Sequence, residues 1–318
     1  MEKANDNTRA NLGVTWLAVI SNTLLTGGKL VAGVAMSSSA VLAEGFHSGV
    51  DLVAALIAFW AVRKARYPAD GDHAFGHGKY DALSAAAEGL LIFGAALFII
   101  VEAVRKIIGG GEVEQLGLGA LVMAASAVIN FLVSARLFAV ARKSGSVAVE
   151  ADGHHLRTDV WTSLGVLGGI VLIRFTGVHV LDPLAAFAVA GLILITAWRI
   201  TRKSFGDLLD RRLPNGEERR IAEIVREDHP HWLEFHRLRT RRAGGQRHID
   251  LHVVTCRDIP VEMAHRLTED LEDDIRREFP GAEIITHVEA CERPEEECDD
   301  ACPMYDIKMK IITRTEGQ

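Results

Sequence analysis

Residues 39–64 read SAVLAEGFHSGVDLVAALIAFWAVRK, and residues 147–176 read VAVEADGHHLRTDVWTSLGVLGGIVLIRFT. Each stretch is long enough to cross a hydrocarbon core of about 30 Å at 1.5 Å per helical residue. Each also carries an imidazole and a carboxylate four residues apart, His47 with Asp51 and His155 with Asp159. Side chains at i and i+4 project from one helix face. An ionisable group at the middle of a membrane helix costs about 2.5–3.5 kcal/mol on insertion scales, so a sequence that keeps four of them needs a reason for doing so.

Working outward, similar apolar runs surround these two. The sequence predicts six membrane helices: Leu12–Ala35, Ser39–Lys64, Asp81–Ile108, Leu116–Arg142, Val147–Thr176 and Leu181–Lys203. They are too long and too evenly apolar for barrel strands, which alternate. Gly165 and Gly169 form one small-xxx-small pair that permits close helix contact. The first run follows Met1–Asn11 and is too long for the apolar core of a signal peptide. Over the 318 residues, 49% are hydrophobic and 24% charged, and the mean hydropathy is +0.16. That much apolar sequence excludes a disordered chain. The net charge of −7, with no basic stripe, argues against a nucleic-acid partner.

Basic residues orient the spans. One side carries Lys3, Arg9, Arg63, Lys64, Arg66, Lys79, Arg136, Arg142, Lys143, Arg199, Arg202 and Lys203; the other carries Arg105, Lys106 and Arg174, with Lys29 able to snorkel outward. The positive-inside rule then places both termini in the cytoplasm. Residues 1–11 form a cytosolic N-terminus, 12–207 the membrane domain, 208–292 a cytosolic domain and 293–318 a flexible tail with Cys298 and Cys302. The sparse cysteines suit a reducing compartment.

Depth links the two pairs. His47 and Asp51 lie 8 and 12 residues past Ser39, and His155 and Asp159 lie 8 and 12 past Val147. These offsets amount to roughly 12 and 18 Å from opposite membrane faces, so the pairs meet near the midplane. Two nitrogens and two oxygens suit tetrahedral Zn²⁺, and four protein ligands leave no open position for a catalytic water. No H-E-x-x-H lies in any span. A membrane metalloenzyme is therefore disfavoured, and a site that binds and releases metal at the midplane is what a transporter needs. A non-conducting metal sensor is the alternative from another class. Arg157, on a different face of the same helix, is expected to snorkel inward or to pair with Asp152.

Asp70, His73 and His77, in the polar segment Pro68–Lys79, can form a second, exposed metal site. After the last span the sequence predicts α-β-β-α-β: a helix over Glu217–Glu227, strands over Leu233–Arg241 and Arg247–Cys256 around Gly244-Gly245, an amphipathic helix over Val261–Phe279 and a strand over Glu283–Ala290. His236 falls nearly opposite His252, and His287 shares a strand face with Glu289. His229, His231 and His248 are expected on the surface.

The paired H-x-x-x-D motifs, the Phe75-Gly-His77-Gly-Lys79 core and Leu208-Leu-Asp210-Arg after the last span together resemble the cation diffusion facilitator family, and bacterial zinc exporters in particular. The resemblance covers about residues 12–290. It implies six membrane helices followed by a metallochaperone-like α/β domain, in a homodimer in the lipid bilayer of the bacterial inner membrane. It implies export of Zn²⁺ from the cytoplasm against protons by alternating access, with broader Fe²⁺, Mn²⁺, Co²⁺ or Cd²⁺ export as the runner-up. It further implies that Lys79 and Asp210 form a charge interlock. Lastly, it implies that His236, His252, His265, His287 and Glu289 match a binuclear zinc site bracing the dimer, with Glu289 where relatives often have Asp.

Overall fold

A computed structural model describes residues 2–35, 39–109, 118–176, 181–229 and 231–293. The chain divides into a unit over Asn5–Leu209 and a unit beginning at Asp210. Cys298, Cys302 and the rest of the proposed tail beyond residue 293 lie outside the described residues.

The first unit is all helical: α1 (Glu2–Ala35), α2 (Ser39–Lys64), α3 (Lys79–Gly109), α4 (Leu118–Ser144), α5 (Val147–Thr176) and α6 (Leu181–Leu208). Among the described residues, five of these contain stretches long and apolar enough to cross a membrane. The sixth, α5, is 30 residues long and carries His154, His155, Arg157 and Asp159 in its first half. The predicted spans coincide with these helices. The main differences are that α1 starts earlier and α6 runs on to Leu208.

Many small side chains line the interior, and many large ones face outward. Ala58, Ala85, Ala148 and Ala151 are essentially inaccessible, whereas Leu24, Val31, Phe98 and Leu121 are at least two-thirds exposed. Lipid tails are as apolar as leucine, so burying leucine between helices gains little in a bilayer, and close backbone packing drives association instead. Gly89 and Gly165 show it directly: an added Cβ would come within 2.5 Å of Thr201 Oγ1 at the first and 2.9 Å of Val189 Cγ2 at the second. Helix α3 packs along α6, and α4 along α5. One apolar cluster joins Ala18, Val62, Val133, Leu137, Ala148 and Leu156; another joins Ala85, Ile92, Val147, Ala151, Ile193 and Ala197. Helix α5 contributes to both, so it is the wall the two clusters share.

The second unit runs α7 (Asn215–Glu223), a π-helical turn (Ile224–Asp228), β1 (Glu234–Ala243), β2 (Gln246–Thr255), α8 (Val261–Glu278) and β3 (Glu283–Ala290). The sheet order is β1-β2-β3, with β1 antiparallel and β3 parallel to β2. Gly244 opens the two-residue β1–β2 turn at φ 61°, a region that favours glycine. A bulge interrupts the β1–β2 register between His236 and Arg239, with Arg237 at φ 50°. Ile249, Leu251 and Val253 of β2 point into a core with Leu271 and Ile275 of α8 and Ile221 of α7. The helices therefore cover one sheet face, and His252 projects from the other.

Glu218, 8% exposed, ties this unit together. It accepts from Thr240 Oγ1 at 2.6 Å and from Arg212 at 2.5 Å. Burial disfavours its charge, but the hydrogen bonds from Arg212 and Thr240 and the nearby guanidinium outweigh that and hold its carboxyl below the usual range. A depressed folded pKa contributes stability that is complete above the ordinary glutamate value and lost as pH falls through the lowered one. Glu218→Gln should destabilise this unit by about 1.5–3 kcal/mol at neutral pH. The gap from wild type should close as the medium is acidified through that lowered value, as read by denaturant unfolding across a pH series.

Candidate metal centres

Helices α2 and α5 bring the two H-x-x-x-D motifs together. His47, Asp51 and Asp159 each offer a ligand atom within 4.8 Å of the others. His155 reaches the same place by another route, its Nε2 lying 3.1 Å from Asp51 Oδ1. Asp51 and His155 are buried, Asp159 is half-buried and His47 is exposed. Among the described residues, Asp159 Oδ2 and His155 Nδ1 are buried without a hydrogen-bond partner. Buried polar atoms are costly to leave unsatisfied, and such donors are suited to an incoming cation.

The supports of this centre come from other helices. On α1, Thr26 Oγ1 donates to the Ser48 carbonyl at 2.8 Å and Asn22 Nδ2 to the Asp51 carbonyl at 3.5 Å. On α3, Asp81 accepts from Ser146 Oγ at 2.5 Å and from the amides of Val147 and Ala148 at 2.6 and 3.3 Å. Those amides open α5 and have no carbonyl partner within their own helix. The carboxylate of one helix therefore caps the start of another, and the helix dipole favours its charge there. The position of α5, and with it the depth of His155 and Asp159, is pinned to α3. No local pattern marks Asp81 for this role, because the cap is supplied from more than 60 residues away.

Arg157 neither snorkels nor pairs with Asp152: its Nε donates to Ser134 Oγ at 3.1 Å and its guanidinium lies 4.3 Å over the Phe131 ring. The facing aromatic ring and hydroxyl of α4 satisfy it locally. Lys29 does not snorkel outward either; it is 7% exposed and donates to Ser48 Oγ at 2.8 Å. Asp152 and Glu88, each 2% exposed, are buried carboxylates that no sequence motif marks.

The loop between α2 and α3 gathers Asp70, His73 and His77. His73 Nδ1 and His77 Nε2 each lie 3.4 Å from an oxygen of Asp70. His77, 3% exposed, has Nδ1 at 3.3 Å from the Pro68 carbonyl. A proton on Nδ1 would donate there and leave the Nε2 lone pair for a metal, as outer contacts of metal-binding histidines do. The backbone amide of His73 holds the Asp70 carboxyl below the usual range, assisted by the amide of Asp72 and the charge of His77. Lys79 Nζ donates to the Leu208 carbonyl at 3.1 Å within the first unit, and Asp210 pairs with Arg241 at 3.3 Å within the second.

On the open sheet face, His236 sits directly opposite His252 across β1–β2, and His252 is level with His287 across β2–β3. Glu289 receives His236 Nε2 at 3.2 Å and His252 Nδ1 at 2.6 Å, with His287 Nε2 at 3.8 Å. The hydrogen bond from His252, with the charges of the three histidines, holds the Glu289 carboxyl below its usual range. His265 stands apart on α8, 3.5 Å from Glu269. His229 and His248 are buried rather than on the surface, pairing with Asp274 at 3.0 Å and Glu283 at 3.0 Å. Carboxylates on neighbouring elements make those positions favourable, and a single-strand reading does not show them.

Replacing Asp81 tests the cap. Asp81→Ala should lower stability by about 0.5–2 kcal/mol, and Asp81→Asn, which keeps an acceptor, by less; thermal unfolding of the detergent-solubilised chain measures both.

Residues 15–209 match the family described as the cation efflux transmembrane domain, and residues 213–291 match the cation efflux protein cytoplasmic domain, a dimerisation domain. A transporter of Synechocystis sp. described as uncharacterized is 36% identical over 269 residues, covering 85% of this chain and 87% of that protein. The cation-efflux pump FieF of Pectobacterium carotovorum is 35% identical over 250 residues, covering 79% and 83%. The FieF of Cronobacter sakazakii is 34% identical over 283 residues, covering 89% and 92%. With both halves matched, the chain is a multi-pass membrane transporter rather than an enzyme, and it belongs to the cation efflux, or cation diffusion facilitator, family.

Proposed function

We propose that this protein exports Zn²⁺ from the cytoplasm of a bacterium, as a homodimer in the inner membrane with both termini inside, in exchange for protons. The observation that carries the reading is the meeting of His47, Asp51 and Asp159, with His155 hydrogen-bonded to Asp51, at mid-span of α2 and α5. Two imidazoles and two carboxylates are a donor set of the kind that holds tetrahedral Zn²⁺, and the carboxylates offset its charge. Fe²⁺, Mn²⁺, Co²⁺ and Cd²⁺ remain alternatives within the same mechanism, because affinity order and availability together select the metal.

The exchange follows from the chemistry of the donors. Metal binding requires neutral imidazoles and ionised carboxylates, so an arriving dication displaces protons and the Asp51–His155 hydrogen bond. Histidine ordinarily titrates near pH 6.5. When the site opens outward, external protons compete for the same lone pairs and release the metal. The protonated site then returns inward. The loop cluster and the sheet-face cluster are proposed as further zinc sites, the latter joining His265 and His287 in bracing the dimer and sensing cytosolic zinc load.

In vesicles with an imposed pH gradient, wild type should move Zn²⁺, and Asp51→Ala and Asp159→Ala should each reduce that flux to background; zinc movement indifferent to both changes rules out this pathway. Zinc binding without flux in wild type would favour a non-conducting sensor. Replacing His252 and His287 together by Ala should weaken zinc-induced closure of the dimer, read as inter-subunit distances by spin-label spectroscopy.

A further inference from the structure

Arg157 stands two residues from His155 and two from Asp159, yet on the far side of α5 from both. At about 100° per residue, Gly153, His154 and Arg157 share one helix face, and His155 and Asp159 share the opposite one. Helix α4 lies against the first of these faces. A Cβ on Gly153 would come within 3.1 Å of Phe138 Cε1 and 3.3 Å of Leu137 Cβ, and the His154 ring meets Phe138 edge-on at 4.8 Å. The Arg157 guanidinium lies 4.3 Å over the Phe131 ring and 5.6 Å over the Phe138 ring, and its Nε donates to Ser134 Oγ at 3.1 Å. Ser134 is fully buried and donates its own proton to the Phe131 carbonyl at 2.9 Å, so its oxygen is turned to accept from Arg157. Among the described residues, two ring faces and one hydroxyl of α4 thus receive this guanidinium inside the membrane domain.

We infer that Arg157 is a positioning residue for the transport centre: its flat guanidinium, docked on Phe131 and Ser134 of α4, fixes the rotation of α5 and so aims His155 and Asp159 at α2. The inference rests on the transport reading given above. Turning α5 about its axis would carry the guanidinium off the rings and the hydroxyl, and a cation without partners is expensive inside a membrane. The shape of the group matters as much as its charge. A guanidinium is planar, stacks on aromatic faces and points its N–H groups in fixed directions, so it docks in one orientation. An ammonium is a point charge on a flexible stem, able to reach for headgroups instead, and would tolerate a range of helix rotations. Both ligands of α5 ride on the same helix and move together. A rotation of about 10° shifts a side-chain tip roughly 5–6 Å from the helix axis by about 1 Å, which is enough to spoil a metal site.

The test compares initial rates of zinc uptake into vesicles as a function of zinc concentration, using the full chain. Arg157→Lys keeps the charge and loses the planar fork. It should raise KM for zinc about tenfold, while kcat stays nearer to wild type; loss of folded protein alone would lower the maximal rate and leave KM in place. Arg157→Gln should match the lysine variant. Phe131→Leu and Ser134→Ala, which leave the arginine and remove its dock, should each raise KM by a smaller factor, and Phe131→Leu added to Arg157→Lys should change KM little further, since both act through one contact. A lysine variant with the wild-type KM would overturn the inference, because charge alone would then suffice, and so would additive effects of Arg157→Lys and Phe131→Leu. If the Arg157 variants do not fold, Phe131→Leu and Ser134→Ala decide it, and an unchanged KM in both overturns it. Wild-type protein that moves no zinc would overturn the transport reading instead. The zinc that wild type binds and Asp159→Ala does not, weighed against a chromophoric chelator, then carries the same comparison of variants.

Discussion

Charge inside a bilayer is tolerable only where charges answer one another. The Asp51–His155 hydrogen bond at 3.1 Å is where this chain meets that condition. Asp159 and His47 gather at Asp51, and Lys29 turns away from lipid to donate to Ser48 of α2. The arrangement of α1, α2 and α5 follows from that need. Close packing at Gly45 brings α2 against α1, and at Gly165 it brings α5 against α6.

Helix α5 bears the larger share of the arrangement. It contributes to both apolar clusters of the membrane unit and carries two of the four proposed ligands. Its first amides are capped by Asp81 from α3. A helix held at its start by a carboxylate and along its length by two cores has a set depth. An exchangeable site needs that, since a ligand displaced by an ångström weakens binding and release alike.

Among the described residues, three clusters gather several histidines and carboxylates near one another, under three kinds of surroundings. The membrane centre leaves buried ligand atoms without partners, which suits a visiting ion. The loop centre is organised by its own backbone: the amides of Asp72 and His73 orient Asp70, and the Pro68 carbonyl lies against His77. The sheet centre is a row across three strands, rigid because the ladder that aligns His236, His252 and His287 is also the ladder that builds the sheet. Similar donors are thus held by different means: helix packing in one cluster, loop amides in another and strand register in the third.

By itself the sequence determined the helix count, the α-β-β-α-β order and the pairing of the two H-x-x-x-D motifs. Those depend on apolar run length, on period and on spacing along one chain segment, all local quantities. The residues it placed wrongly share a different property. Lys29, Arg157, His229 and His248 are polar groups whose surroundings come from distant elements: Ser48, the aromatic ring and hydroxyl of α4, Asp274 and Glu283. Whether such a group turns outward or inward is decided by the partner that awaits it, and only the tertiary structure brings that partner near. The Asp81 cap was hidden for the same reason, since a hydrogen bond between α3 and α5 has no sequence period.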